Sequence, residues 1–392
     1  MSKGSVKAPT PQTHSEYRRL THPTLVPLNK LFSNAFPLSI KELWEDYRQR
    51  NTPLKTQDRL LRLLPFYPHA DSLNRLAQVV QTQLDNGSFI NEFVIYPDRK
   101  SQADSADLNH LIMVHGYGAG LGFFLKNFEG IAQNKNWVIH AIDLLGYGCS
   151  LRPKFELPSE DLKLVEAWFH DSFREWLVKR DLVDLSQQTM VMAHSMGAYL
   201  MATYGINRDV NFCKKLLMVS PGALIKHRKP VLVPQYFAKL WERNISPFSL
   251  VRNAGPLGSK LVSGWLSRRF AKLSPEERVR LHRYSYAIFQ QPGLGEYMLN
   301  YLLAPGADAR FPLIDRGIHK LNCEMLWWYG KEDWMDVLGG KLCTNIINSV
   351  HGREQSTVHE IEDAGHHLYL DNYPQFNQMM VDEMARFDAA EA

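Results

Sequence analysis

Cysteine is scarce. Cys149, Cys213, Cys323 and Cys343 lie far apart in 392 residues and form no C-x-x-C pair. That excludes a zinc knuckle or a disulfide scaffold as the organising device and suits a reducing compartment. No apolar run reaches the roughly 18 residues that a membrane-spanning helix needs. No G-x-x-x-x-G-K-[ST] occurs, and the spacing of Gly116, Gly118, Gly120 and Gly122 does not supply G-x-G-x-x-G. A nucleotide cradle is therefore unsupported. The formal net charge is only +4, which gives no reason to expect a nucleic-acid partner. No internal repeat and no low-complexity segment is found. No metal and no cofactor is expected.

What is present is ordinary globular composition, 45% hydrophobic and 22% charged, enough for a large core. From residue 110 onward a pattern recurs. HLIMVHGYGAG, WVIHAIDLLGYG, TMVMAHSMG, KLLMVSPG, EMLWWYG and STVHEIEDAGH are short apolar runs that end in glycine or proline. Such runs suit strands buried on both faces. Helical stretches lie between several of them. One places Leu162, Val165, Phe169, Phe173, Trp176 and Leu177 on a single stripe, as an amphipathic helix does. Alternating strands and helices imply an α/β fold with a mainly parallel sheet and helices on both faces. The alternation fails between the fourth and fifth runs. This predicts a helical lid inserted after the fourth strand, over residues 223–320, with core segments at 89–222 and 321–392. Upstream, IKELWEDYRQR, TQDRLLRLLPFYP and LNRLAQVVQTQLDNG read as helices, the last stopped at Gly87, giving an N-terminal helical region over 36–88. FINEFVIYP reads as an edge strand.

Charge is unevenly placed. The block 223–320 carries 16 Lys plus Arg against 6 Asp plus Glu. Such a block either faces an anionic surface or forms a solvated basic face. Residues 1–35 hold Lys3, Lys7, Arg18, Arg19 and Lys30 against the single acid Glu16, which fits either an organelle-targeting segment or a disordered tail.

The chemistry centres on A-H-S-M-G. Ser195 follows an apolar run and precedes a helix. A nucleophile on a tight strand-to-helix turn needs small residues two positions away on either side, here Ala193 and Gly197. Taken alone, a helix N-cap serine is the favoured explanation of the pattern. A serine hydroxyl also needs a base, and the base needs an orienting acid. Asp333 follows the fifth run and His366 the sixth, in the order serine, acid, histidine, at strand ends on one side of a parallel sheet. H-G-Y-G-A-G after the first run offers backbone amides for an oxyanion. The N–H groups of Tyr117 and Met196 are the candidates.

H-G-Y-G-A-G, A-H-S-M-G, R-N-A-G-P-L-G-S-K-L and A-G-H-H-L-Y-L-D-N together resemble the α/β-hydrolase superfamily, in its comparative-gene-identification-58-like branch of lipid hydrolases and acyltransferases. H-A-I-D-L-L-G-Y-G-C-S and W-W-Y-G-K-E-D-W-M-D look most like the fungal mitochondrial cardiolipin deacylases of that branch. The resemblance covers roughly residues 85–388. It implies that Ser195, Asp333 and His366 form a catalytic triad, and that Tyr117 and Met196 form the oxyanion hole. It also implies deacylation of an anionic phospholipid, cardiolipin to monolysocardiolipin, at the inner mitochondrial membrane. Two alternatives come with the same branch. One is acyl-CoA-dependent acylation of lysophosphatidic acid, for which His366 and Asp371 form the signature H-x-x-x-x-D. The other is a non-catalytic lipase or lipid-droplet adaptor in the cytoplasm. Asp371 also reads as a cap for the last helix, the favoured reading.

Substrate class rests on the lid. KLVSGWLSRRFAKL, residues 260–273, mixes aromatic and basic residues. Trp265, Arg268, Arg269, Phe270 and Lys272 are the expected contacts with an anionic membrane. RLLRLLPFYP is a second, weaker candidate for membrane contact. The competing reading of the lid helix is packing on the core with its cations in water.

Overall fold

All six apolar runs are strands, and they lie side by side. The computed structural model describes residues 39–102, 105–153, 161–226, 235–243, 245–269, 272–305 and 308–390. In chain order the strands are β1 (Leu76–Gln83), β2 (Phe89–Tyr96), β3 (Asn109–Val114), β4 (Trp137–Ile142), β5 (Thr189–His194), β6 (Lys215–Val219), β7 (Leu303–Ala304), β8 (Asp308–Ala309), β9 (Glu324–Gly330) and β10 (Ser356–Ile361). Eight of them form one sheet in the order β1-β2-β4-β3-β5-β6-β9-β10. From β4 to β10 every pairing is parallel, whereas β2 runs antiparallel to both β1 and β4. Parallel strands must be covered on both sides, which is why they read as unbroken apolar runs.

Alternation along each strand divides the core in two. Leu111, Met113, Met192, Leu217 and Trp328 point to one face. There they meet Leu125 and Phe128 of the helix Leu125–Ile131, and Phe376, Met380 and Met384 of the final helix, Tyr373–Ala389. Ile112, Val114, Val191, Leu216, Met218 and Trp327 point to the other. That face is covered by the predicted stripe of the helix Leu162–Lys179 and by the helices Met196–Asn207 and Val337–His351. Each such large side chain, fully buried, contributes about 1.5–3 kcal/mol.

Two upstream expectations fail. Residues 73–86, expected as a helix, hold β1, which pairs with β2 over its whole length. Val79, Val80 and Thr82 favour extended backbone. Asn86-Gly87 makes the hairpin turn, with Gly87 at φ +79° and the Leu84 amide donating to the Ser88 carbonyl. The glycine taken as a helix stop is thus a strand turn. β2 in turn lies inside the sheet, so it is β1 that forms the edge. The sheet therefore begins at residue 76, within the segment expected to be helical.

Between β6 and β9 lie the helices Gln235–Glu242, Pro247–Asn253, Leu257–Arg269, Pro275–Phe289 and Leu299–Leu302, together with the two-residue pair β7–β8. The N-terminal helices Ile40–Gln49 and Pro53–Leu61 pack against this insertion. Asp46 accepts hydrogen bonds there from Ser259 (2.7 Å) and His282 (3.1 Å) and pairs with Arg283 (3.2 Å). Leu60, Leu61, Leu64 and Phe66 are buried in the core, so RLLRLLPFYP presents its apolar side to the protein and not to a membrane. The 1–35 segment lies outside the described residues.

Candidate active site

β5 runs directly into Ser195, and the helix Met196–Asn207 starts at the next residue. Ser195 sits at φ 53°, ψ −116°, a conformation that a non-glycine residue occupies at a cost of order 1–3 kcal/mol. The turn is held because the Ser195 amide donates to the Val219 carbonyl (2.9 Å) of the neighbouring strand. Small neighbours are required as the sequence implied. A methyl group on Gly197 would stand 2.3 Å from the His115 carbonyl oxygen, and one on Gly116 would stand 3.0 Å from the Ser195 Cβ. Ser195 occupies the N-cap position, yet its side chain makes no capping bond.

The hydroxyl is turned elsewhere. Ser195 Oγ lies 3.0 Å from His366 Nε2, and His366 Nδ1 lies 3.1 Å from Asp333 Oδ1. A carboxylate can only accept, so Nδ1 carries the proton and Nε2 is left to accept from the serine. All three side chains are buried. Asp333 follows β9, and its Oδ1 also accepts from the Met335 amide (3.0 Å), which fixes the carboxylate plane. His366 follows β10. Its carbonyl accepts from His194 Nε2 (2.9 Å), so the residue before the serine ties the serine turn to the histidine loop. His194 stands in A-H-S-M-G, but nothing in that motif announces this role.

The amides of Tyr117 and Met196 make no hydrogen bond with the described residues. His115 explains how the first of them is aimed. Its Nδ1–H donates to the Gly116 carbonyl (2.8 Å), while its Nε2 accepts from the Leu144 amide (3.1 Å). In a trans peptide the carbonyl and the following N–H point opposite ways. Holding the Gly116 carbonyl therefore sets the Tyr117 N–H. Burial keeps His115 below the usual histidine range, although Asp143 nearby opposes that shift. The ring is neutral, as this bonding requires. Buried Asp143 anchors the same loop by accepting from the Leu121 (2.7 Å) and Cys149 (2.8 Å) amides.

Ser195 and His366 open into a cavity of about 370 Å³. Its walls come from the lid (Phe248, Val251, Val262, Trp265, Phe289, Leu302) and from Tyr117, Tyr199 and Trp334, and among the described residues no lysine, arginine or acid lines it. The arrangement can generate a nucleophile, hold an oxyanion and accommodate an aliphatic chain.

A family model described as the α/β hydrolase fold matches residues 109–373. The chain belongs to the α/β-hydrolase family. Among curated proteins it is similar to a 1-acylglycerol-3-phosphate O-acyltransferase of Arabidopsis thaliana, with 32% identity over 67% of this chain and 63% of that one. The chain thus spans just under two thirds of that relative's length. It is also similar to a human (lyso)-N-acylphosphatidylethanolamine lipase, with 26% identity over 78% of this chain and 88% of the other. Among solved structures an esterase from Exiguobacterium antarcticum shares the fold, with a TM-score of 0.53 and 16% identity over 78% of this chain and 99% of that chain.

Within this α/β hydrolase, Asp371 is not the N-cap of the final helix. Its Oδ2 accepts from the Gly365 amide (2.9 Å), so it braces the loop that carries His366. The final helix has Asn372 at its N-cap. Trp265 turns inward. It lines the cavity and packs near Phe123, Phe289 and His367, because Leu266 and Val262 on the same helix are buried in the core. It is available to a chain bound in the cavity. Lys272 is exposed and reaches the Asp363 carbonyl at 3.4 Å. Arg268 and Arg269 belong to the helix Leu257–Arg269, and Phe270 lies outside the described residues.

Proposed function

We propose that this α/β hydrolase deacylates an anionic phospholipid, cardiolipin to monolysocardiolipin, through an acyl-serine. The reading rests on one observation, the Ser195–His366–Asp333 chain of hydrogen bonds opening into an uncharged, apolar cavity. His366 takes the hydroxyl proton as Ser195 Oγ attacks the ester carbonyl, and Asp333 stabilises the imidazolium that forms. The Tyr117 and Met196 amides receive the oxyanion, where loss of one donor costs about 2.7–4 kcal/mol. The lysolipid oxygen leaves with the proton from His366. Water, deprotonated by the same histidine, then releases the fatty acid. Among the described residues a phospholipid head group finds no charged partner inside the cavity, so it stays outside while the chain enters.

Support for cardiolipin comes from the likeness of the motifs to the fungal deacylases and from the basic composition of the lid. A peripheral position on the inner mitochondrial membrane is part of the same proposal, to be checked by fractionation. A second reading has a specific motive. The Arabidopsis relative is named an acyltransferase, and an acyl-serine attacked by a lysophospholipid in place of water would give acyl transfer from the same site.

The test is a lipid panel. Vesicles of cardiolipin, phosphatidylglycerol, phosphatidylethanolamine or triacylglycerol are offered with and without lysophosphatidate and acyl-CoA, and fatty acid and lysolipid are measured. The proposal expects fatty acid release that is fastest on cardiolipin. Equal rates on all lipids would remove the substrate assignment, and acyl-CoA consumption without fatty acid release would replace hydrolysis by transfer.

A further inference from the structure

We propose that the lid segment from Lys239 to Leu257 is a docking surface for an anionic phospholipid bilayer, from which the acyl chain passes straight into the cavity. The proposal rests on the reading of that cavity as an acyl-chain site.

The segment presents aliphatic side chains to the outside that packing leaves unexplained. Leu250 is 63% exposed, Leu257 59%, Ile245 45% and Leu240 40%. Four of the fourteen exposed large hydrophobic residues among those described thus fall within these nineteen positions. A soluble surface seldom gathers them without a partner. Pro247 is exposed as well. The same short helix, Pro247–Asn253, faces both ways. Pro247, Phe248, Leu250 and Val251 line the cavity that holds Ser195, so exposed Pro247 and Leu250 stand at its rim, with Ile245 and Leu257 flanking them in the chain. Leu250 belongs to both surfaces.

Charge selects the partner. Lys239 and Arg243 are exposed beside Leu240 and Ile245. The one acid between them, Glu242, is paired with Arg310 at 2.9 Å. Arg252 on the inner side is tied to Glu296. The outer face of the rim is therefore aliphatic with a positive flank. That combination suits the headgroup–acyl boundary of an anionic bilayer. Sequence reasoning looked for this surface further along, at residues 260–273, where Trp265 instead points into the cavity. With the bilayer seated on the rim, a lipid chain slides between Leu250 and the cavity wall without crossing water.

The experiment uses the full chain and flotation with vesicles of phosphatidylcholine, alone or mixed with cardiolipin. The paired substitution Ile245→Asp with Leu257→Asp touches no residue that lines the cavity. Binding to mixed vesicles and hydrolysis of vesicle lipid should both fall by about tenfold or more. Turnover of a water-soluble short-chain ester should persist, showing an intact site. Val350→Asp alters a side chain that is 59% exposed. It lies near the end of the helix that leaves the catalytic rim after β9 and returns to the opposite end of the sheet. It should leave vesicle binding unchanged. Lys239→Gln with Arg243→Gln should erase the preference for cardiolipin-containing vesicles and its sensitivity to salt. Unchanged flotation of the Ile245/Leu257 pair would overturn the proposal, as would loss of a protein dimer in place of loss of vesicle binding. A wild-type chain that floats with vesicles but turns over no ester would leave the surface standing and remove the enzymatic reading instead.

Discussion

Ser195 stands where a helix cap stands and does not cap. Its hydroxyl is given to His366, and the backbone bears a strained conformation to allow it. Each residue around it has a separable effect. Asp333→Asn should keep the fold and lower kcat by about 10⁴-fold, because the imidazole then takes the wrong tautomer; steady-state kinetics on a soluble ester checks this. Gly197→Ala should cost about 1–3 kcal/mol in a denaturant titration and most of the activity, since its methyl would press on the His115 carbonyl. His194→Phe keeps an aromatic ring but removes the donor to the His366 carbonyl. The pH profile of kcat/KM should move while substrate binding is retained. An unmoved profile would show that His194 only fills space. The triad was legible because serine, acid and base each follow a strand end, and topology alone brings such ends together. The parts played by His115, His194 and Asp371 were not legible. They act through hydrogen bonds to backbone atoms, near in the chain for Gly116 and Gly365 and distant for Leu144 and His366, and no spacing in the chain announces such bonds.

At the scale of elements, the lid helix Pro247–Asn253 is the piece most exposed to test. Arg252 donates to Glu296 (3.0 Å to Oε2), and the Ser246 hydroxyl bonds to the same carboxylate. This pins the helix so that the Phe248 ring sits 5.5 Å from the Tyr117 ring and 4.6 Å from the Phe289 ring. Glu296→Gln leaves a largely buried guanidinium without its counter-charge, a loss of about 3 kcal/mol. Hydrogen exchange should speed up in residues 246–253 and stay slow in β5 and β6; uniform exchange would deny the helix an independent hold. Legibility also divides by element. Six strands were plain because strands buried on both faces cannot hide their apolar runs. β1 was not, because an edge strand with glutamines on its outer positions imitates a polar helix. In the lid, the stretch 260–273 shows its mixture of aromatic and basic residues, but that composition does not say whether its apolar side meets protein or lipid.

For the molecule as a whole, stability carries an acid signature from two histidines remote from the serine. Burial, helped by His140, pushes His110 down to about 3. Burial, helped by Arg208, does the same to His170. Both fold as neutral rings: His110 bonds His140 (3.0 Å) and His170 bonds Thr203 (3.1 Å). The unfolded chain takes up these protons near pH 6.5 and the folded chain only near 3, so it is the unfolded state that binds more protons between those values. Stability is therefore complete above about pH 6.5 and declines as the pH falls, by about 1.4 kcal/mol per unit for each histidine. Urea titrations between pH 7 and 5 should show this slope. The paired variant His110→Asn, His170→Gln should make it shallower, with buried His115 still contributing, and an unchanged slope would reject the assignment.

The central claim is that Ser195 is a nucleophile activated by His366. Incubation of the folded chain with a fluorophosphonate, followed by peptide mapping, tests it most directly. One adduct on Ser195, absent in Ser195→Ala and strongly slowed in His366→Ala, is the predicted result. A folded wild-type chain that stays unlabelled, or one labelled equally well after Ser195→Ala, would contradict the account.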